Sequence, residues 1–191
     1  MICAFTPRPD RAAEIMRRSA AWAFRCLTLR RLAAGLVVVA LCAGPICQAR
    51  ADELARANAA YARGDYVSAV KLLMPLALRG NAGAQASLGF MYENGYGAPQ
   101  AYDAAADLYV QAATRGNPFG QAMLGLMYDK GHGVPQDFVM AYKWLDLAAA
   151  RAPQRQRDYF LRLRNAVASK MSPAQISAGQ RLALFWAPGR P

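Results

Sequence analysis

One stretch of this chain is followed at once by a recognisable copy of itself. Sliding the 36 residues from Gly80 to Arg115 onto those from Gly116 to Arg151 gives identity at 16 positions with no gap. The identities include Gln85/Gln121, Leu88/Leu124, Gly89/Gly125, Tyr92/Tyr128, Gly95/Gly131, Gly97/Gly133, Pro99/Pro135 and Arg115/Arg151. A period of this length means that one supersecondary unit has been duplicated, and that its apolar face is buried only by stacking on its neighbours.

Each copy reads as a helical hairpin. Ala86, Leu88, Gly89 and Tyr92 recur at helical spacing, so small residues admit a neighbouring backbone while Leu88 and Tyr92 fill the space beside it. Gly95-Tyr96-Gly97-Ala98-Pro99 and Gly131-His132-Gly133-Val134-Pro135 end that helix, because glycine accepts positive φ and proline forbids continuation. A second helix follows, in which Ala105, Leu108, Tyr109, Ala112 and Ala113 match Ala141, Trp144, Leu145, Ala148 and Ala149. Arg115 closes it at the negative end of the helix dipole. By spacing, Tyr92, Tyr109, Tyr128 and Trp144 are core positions.

The frame runs backwards with one change. Ala57 and Tyr61 match a first helix, and Ala69, Leu72, Leu76 and Ala77 a second, yet Tyr61 to Ala69 is eight positions where Tyr92 to Ala105 is thirteen. Forwards it decays: a helix near Arg155–Ser169 has Phe160, Leu163 and Val167 but no glycine. A last helix starts at Ser172-Pro173-Ala174-Gln175, which has the form of a capping box with proline in the first turn. Terminal units of a stacked array diverge because one side of each meets water.

Residues 86–99 and 122–137 together with Ala148-Ala149 resemble Sel1-like repeats, relatives of tetratricopeptide repeats with a longer inter-helix loop; Ala59 to Ala69 is more similar to a tetratricopeptide repeat. Ala101, Ala104 and Met140 depart from the family's loop pattern. The resemblance implies an all-α solenoid, a role as an adaptor for other proteins, export in bacteria, and no shared catalytic residues. The expected organisation is a signal peptide with a basic leader over 1–51, a tetratricopeptide-like hairpin over 52–80, two Sel1-like repeats over 81–152 and capping helices over 153–191.

Charge divides the chain in the same place. Met1–Ala51 holds eight basic and two acidic residues and all four cysteines, whereas the other 140 residues hold fifteen basic, ten acidic and no cysteine. Arg30-Arg31, the apolar run Leu32–Ala43 and Ala49-Arg50-Ala51 follow the order of a secretory signal, with cleavage expected after Ala51. The run is too short to span a bilayer, which takes about 20 residues. Met16-Arg17-Arg18 would begin a leader of more usual length. The expected location is the periplasm or the cell exterior, with membrane contact only through the leader. With the basic excess assigned to addressing, nucleic acid is not an expected partner.

Candidate chemistry is sparse. Residues 52–191 lack cysteine, which excludes thiol nucleophiles and zinc–thiolate sites there. His132 is the only histidine and is read as an exposed loop residue, since Tyr96 fills its slot in the other copy. Asp103 and Asp107 stand one turn apart, but their counterparts are Val139 and Lys143, so they read as a solvated face. No catalytic, cofactor or metal residue is expected, and the chain is not expected to be an enzyme. The expected function is recognition of another protein or peptide segment on the concave face, which first helices line in such arrays. Positions that differ between copies there, Phe90, Glu93, Asn94, Phe119, Met123 and Lys130, are the candidates for partner contact. The alternatives are an accessory cell-wall enzyme, and a binder of anionic surfaces using Arg155, Arg157, Arg162, Arg164 and Lys170.

Overall fold

A computed structural model describes residues 52–188; the leader, its cysteines and the expected cleavage after Ala51 lie outside the described residues. Eight α-helices and no strand occur among them: α1 (52–62), α2 (Tyr66–Leu78), α3 (Ala82–Asn94), α4 (Tyr102–Thr114), α5 (Pro118–Lys130), α6 (Phe138–Arg151), α7 (Gln154–Ala168) and α8 (Pro173–Leu184). They form an α-solenoid in which α1/α2, α3/α4 and α5/α6 are successive hairpins.

Side-chain oxygens set most of the starts. Asp65, Asn81, Asn117 and Ser172 each accept from a backbone N–H three residues on, and Asp137 accepts from those of Val139 and Met140. Each such cap satisfies a donor that the first helical turn leaves open. The box at Ser172 and Gln175 is closed in both directions. Gly95 and Gly131 end α3 and α5 in the left-handed conformation, at φ 69° and 72°.

Within a hairpin, glycine decides how closely two helices approach. A Cβ on Gly89 would lie 2.9 Å from the Tyr109 ring, and one on Gly125 2.8 Å from Leu145 Cγ. Tyr109, Leu88, Leu124 and Leu145 are accordingly inaccessible to solvent, each such side chain being worth about 2 kcal/mol of transfer free energy. Trp144 is buried too, whereas Tyr92 and Tyr128 are only half-buried. The ring of Tyr92 packs on both apolar clusters, one centred on Leu73, Leu76 and Leu88, the other on Tyr109, Leu124 and Leu145.

Between hairpins, two repeated devices act. Buried Gln85 donates from Nε2 to the carbonyl of Ala77 at 3.0 Å, and Gln121 repeats this toward Ala113 at 3.2 Å. Each first helix is thereby tied to the last turn of the hairpin before it. The long loop clasps the same neighbour from its other end. A side chain on Gly97 would collide with the backbone of Tyr66 and Val67, and one on Gly133 with that of Tyr102. Tyr96 stacks on Tyr66 with centroids 4.7 Å apart, and His132 lies 4.8 Å from the Tyr102 ring. His132 is therefore a half-buried packing residue and not the exposed loop residue expected, because its slot belongs to the inter-repeat contact.

The C-terminal part leaves the repeat geometry. Both α7 and α8 pack on α6, α7 burying Phe160 and Val167, and α8 bringing Gly179 against Tyr142, where a Cβ would lie 2.9 Å from the ring. The chain then folds back: Trp186 meets Trp144 edge-on at 5.9 Å, and Pro188 and Trp186 cover the turn at Gly116.

Candidate functional site: an aromatic groove on the first helices

The first helices of all three hairpins contribute to one open groove of about 360 Å³. Asn58 and Tyr61 come from α1, Ser87, Phe90 and Met91 from α3, and Phe119 from α5, with Leu73 of α2 behind them. Four of its aromatic contacts are edge-on or tilted: Tyr61–Phe90 at 6.4 Å, Phe90–Phe119 at 6.0 Å, Tyr61–Tyr96 at 6.3 Å and Phe90–Tyr96 at 6.1 Å. Rings held by other rings keep their positions, so the surface is formed before anything binds. Burial, then the neighbouring Tyr66 and Tyr96, push the Tyr61 hydroxyl above the ordinary phenol range and keep it a neutral donor.

No charged side chain lines this groove. Its chemistry is apolar contact with a ring of aromatic edges, plus one amide at Asn58 and the hydroxyls of Ser87 and Tyr61. Such a lining seats an aliphatic or aromatic side chain of a protein segment and offers hydrogen bonds to the backbone beside it.

The six expected contact residues divide. Phe90 and Phe119 are brought together in the groove. Glu93 accepts a 2.8 Å hydrogen bond from the buried Tyr109 hydroxyl. That hydroxyl is held far above the ordinary range by burial and then by the carboxylate of Glu93. Glu93 thus serves the hairpin interior. Asn94 is exposed but donates to the Phe90 carbonyl of its own helix. Lys130 is exposed at the end of α5. Met123 is not the surface residue expected: at 9 % exposure it belongs to the core cluster and presents little surface. Tyr61, Asn58 and Ser87 escaped the sequence reading. Asn58 and Tyr61 lie in the hairpin outside the 36-residue register, and Ser87 differs from its counterpart Met123 without standing out.

The alternatives look different in the structure. Of the basic residues expected to form a C-terminal surface, Arg164 bonds Asp146 at 2.7 Å and Lys170 bonds Asp129 at 2.8 Å, so they fasten α7 and the turn after it to the array. Arg155, Arg157 and Arg162 are exposed. Asp103 and Asp107 are exposed as well. Among the described residues no group of three His, Cys, Asp or Glu is placed to hold a metal ion, and no helix is long and apolar enough to cross a membrane.

The family model of the Sel1 repeat matches residues 82–117 and again 118–152. The chain carries two Sel1 repeats. Their boundaries fall at Asn81 and Asn117, the caps of α3 and α5, so each match is one complete hairpin. Two solved structures share the fold. One is a protective antigen present in uropathogenic Escherichia coli strains, displaying an SLR fold, with a TM-score of 0.66 at 24 % identity over 72 % of this chain and 29 % of that one. The other is a Sel1 repeat protein from Oxalobacter formigenes, with a TM-score of 0.54 at 24 % identity over 69 % of this chain and 55 % of that one. The chain thus spans under a third of the first and about half of the second. No curated protein gives a significant match. Sel1 repeats are in general non-catalytic modules for protein–protein interaction, and the chain has that architecture.

Proposed function

We propose that the chain is an exported adaptor that captures a segment of another protein in the groove formed by the first helices of its Sel1-type hairpins. The observation that carries this reading is the Tyr61–Phe90–Phe119 surface, which crosses three hairpins and leaves large aromatic side chains half-open to solvent. A contiguous exposed apolar patch of this kind marks interaction sites more than scattered single residues do. A preformed surface loses little conformational entropy on binding, and aromatic anchors supply most of the buried area. The leader sequence supports a location in the bacterial envelope, with the working chain beginning at Asp52.

Photocrosslinking in cells tests the reading. A crosslinking residue at Phe90 or Phe119 should capture the same protein, and one at exposed Leu78 on α2 should not. Capture of different proteins at the two groove positions, or equal capture at Leu78, would remove the support for this assignment. Mass spectrometry of the recovered chain should find its N-terminus at Asp52; retention of the leader would overturn the export part alone.

A further inference from the structure

Charge is distributed unevenly along the sequence after Ala51. Residues 52–150 hold seven basic and nine acidic residues, whereas 151–191 hold eight basic residues and one acidic residue, Asp158. Ion pairs with the repeats absorb Arg164 and Lys170. Other cations gather at the end of α8.

Lys143 of α6 and Arg181 of α8 line a shallow hollow of about 550 Å³ together with Ala178, Leu182, Phe185 and Trp186. Neither cation has a carboxylate partner among the described residues. The Lys143 ammonium lies instead 4.5 Å over the ring of Trp144, and burial lowers its proton affinity. A partly desolvated cation without a counter-ion is stabilised by any anion that reaches it. Arg151 adds a third positive charge beside the hollow, 4.3 Å over the Trp186 ring.

Apolar side chains are exposed at the same helix end. Leu184 is 79 % and Phe185 87 % exposed, and Leu182, which lines the hollow with Phe185, is 44 % exposed. A leucine and a phenylalanine open to water at a helix end bury almost nothing in this fold. Basic residues around protruding apolar ones form the pattern that binds an anionic bilayer: cations meet head-group phosphates while the apolar side chains enter the acyl boundary. A second copy docked on the same face by a two-fold axis would set Lys143 and Arg181 against like charges. An acidic peptide would satisfy the cations but leave Leu184 in water, since that residue does not line the hollow.

We propose that this end of the molecule docks on an anionic lipid surface, with Lys143 and Arg181 on the phosphates and Leu184 and Phe185 inserted. The residues of this contact are distinct from those that line the aromatic groove.

The test uses the full chain carrying trifluoromethyl-phenylalanine at position 185 or, as a control, at position 78, also an exposed apolar site. Fluorine spectra are compared between plain vesicles and vesicles bearing doxyl lipid, so that only proximity to lipid is read and slow tumbling caused by the leader cancels. With phosphatidylglycerol–phosphatidylethanolamine vesicles the signal at 185 should be lost to the doxyl label and the signal at 78 retained. With phosphatidylcholine vesicles both should be retained. High salt, or the pair Lys143→Gln and Arg181→Gln, should restore the signal at 185. Retention of the 185 signal on anionic vesicles overturns the proposal, as does equal loss at both positions or indifference to salt and to both substitutions. A shift at 185 produced by a poly-glutamate peptide, with vesicles inert, would assign the hollow to an acidic protein instead.

Discussion

Arg151 lies 4.3 Å over the ring of Trp186, whereas its repeat counterpart Arg115 donates to the side chain of Gln85 at 3.3 Å and to the carbonyl of Gln111 at 3.0 Å. The same residue type in the same slot has been given two tasks. The Arg115 guanidinium covers the turn at Gly80, and at the equivalent turn, Gly116, Trp186 and Pro188 take that place. With Arg151 drawn onto the indole, Gln121 Oε1 is buried without a partner, while Gln85 is fully engaged. The returning C-terminal segment thus acts as the last repeat's cap.

A double-mutant cycle on Arg151→Met and Trp186→Leu measures this. Each single change should lower the unfolding free energy, and the two together should cost less than their sum by about 0.5–1 kcal/mol, the worth of a cation over an aromatic face. Additive losses in urea titrations would mean that the contact contributes nothing.

The two buried glutamines should respond unequally. Gln85→Leu strips partners from Ala77, Gln111 and Arg115, whereas Gln121→Leu strips only one from Ala113. Stability measured by denaturant should fall further in the first by about 1–2 kcal/mol, for the two additional hydrogen bonds lost. Equal losses would contradict the assigned contacts.

Glycines in the inter-helix turns separate backbone strain from steric closure. Gly64, at φ 79°, has open space where a Cβ would stand, and Gly97 and Gly133, at 72° and 64°, abut the backbone of the preceding hairpin. Gly64→Ala should cost about 1 kcal/mol for conformation alone. Gly97→Ala and Gly133→Ala should each cost about 3 kcal/mol, because overpacking adds to that strain. Melting curves of the three variants check the order; a Gly97→Ala protein as stable as Gly64→Ala would show that the loop does not clasp its neighbour.

Much of this architecture was legible in the sequence because packing and capping are local. Gly89 and Gly125 marked helix contacts, Gly95 and Gly131 marked helix ends, and Ser172 with Gln175 marked a start; all occupy those roles. What period and pattern could not deliver was contact between units. His132 was read from its repeat counterpart Tyr96, yet its environment is set by Tyr102 of the preceding hairpin. The groove was half legible. Phe90 and Phe119 differ between copies and face outward, but Met123 differs for the opposite reason, filling a core space that its counterpart Ser87 leaves to the groove. Difference between repeats marks either surface choice or core accommodation, and only packing separates them.

Asp65 supplies a pH test. The Ser68 hydroxyl, and then the Ser68 backbone N–H at 3.1 Å, hold its carboxyl below the usual carboxylate range. A folded-state value below the unfolded one means that the stabilisation is present above the unfolded value of 3.8 and is lost as pH falls through the lower folded value. Unfolding titrations should therefore show α2 weakening in that acid window, and Asp65→Asn, which keeps a capping oxygen without a titrating charge, should remove this part of the acid dependence. An unchanged acid limb in the variant would contradict it.

The central claim is that partner recognition resides in the rings of the first helices. With the protein captured from Phe90 in hand, its affinity should be measured for the unaltered chain and for Phe90→Ala, Phe119→Ala and Leu78→Ala, each shown by far-UV circular dichroism to remain helical. The account predicts a loss of at least about tenfold, about 1.4 kcal/mol, for each phenylalanine and none for Leu78. Affinity unchanged in both phenylalanine variants would contradict it.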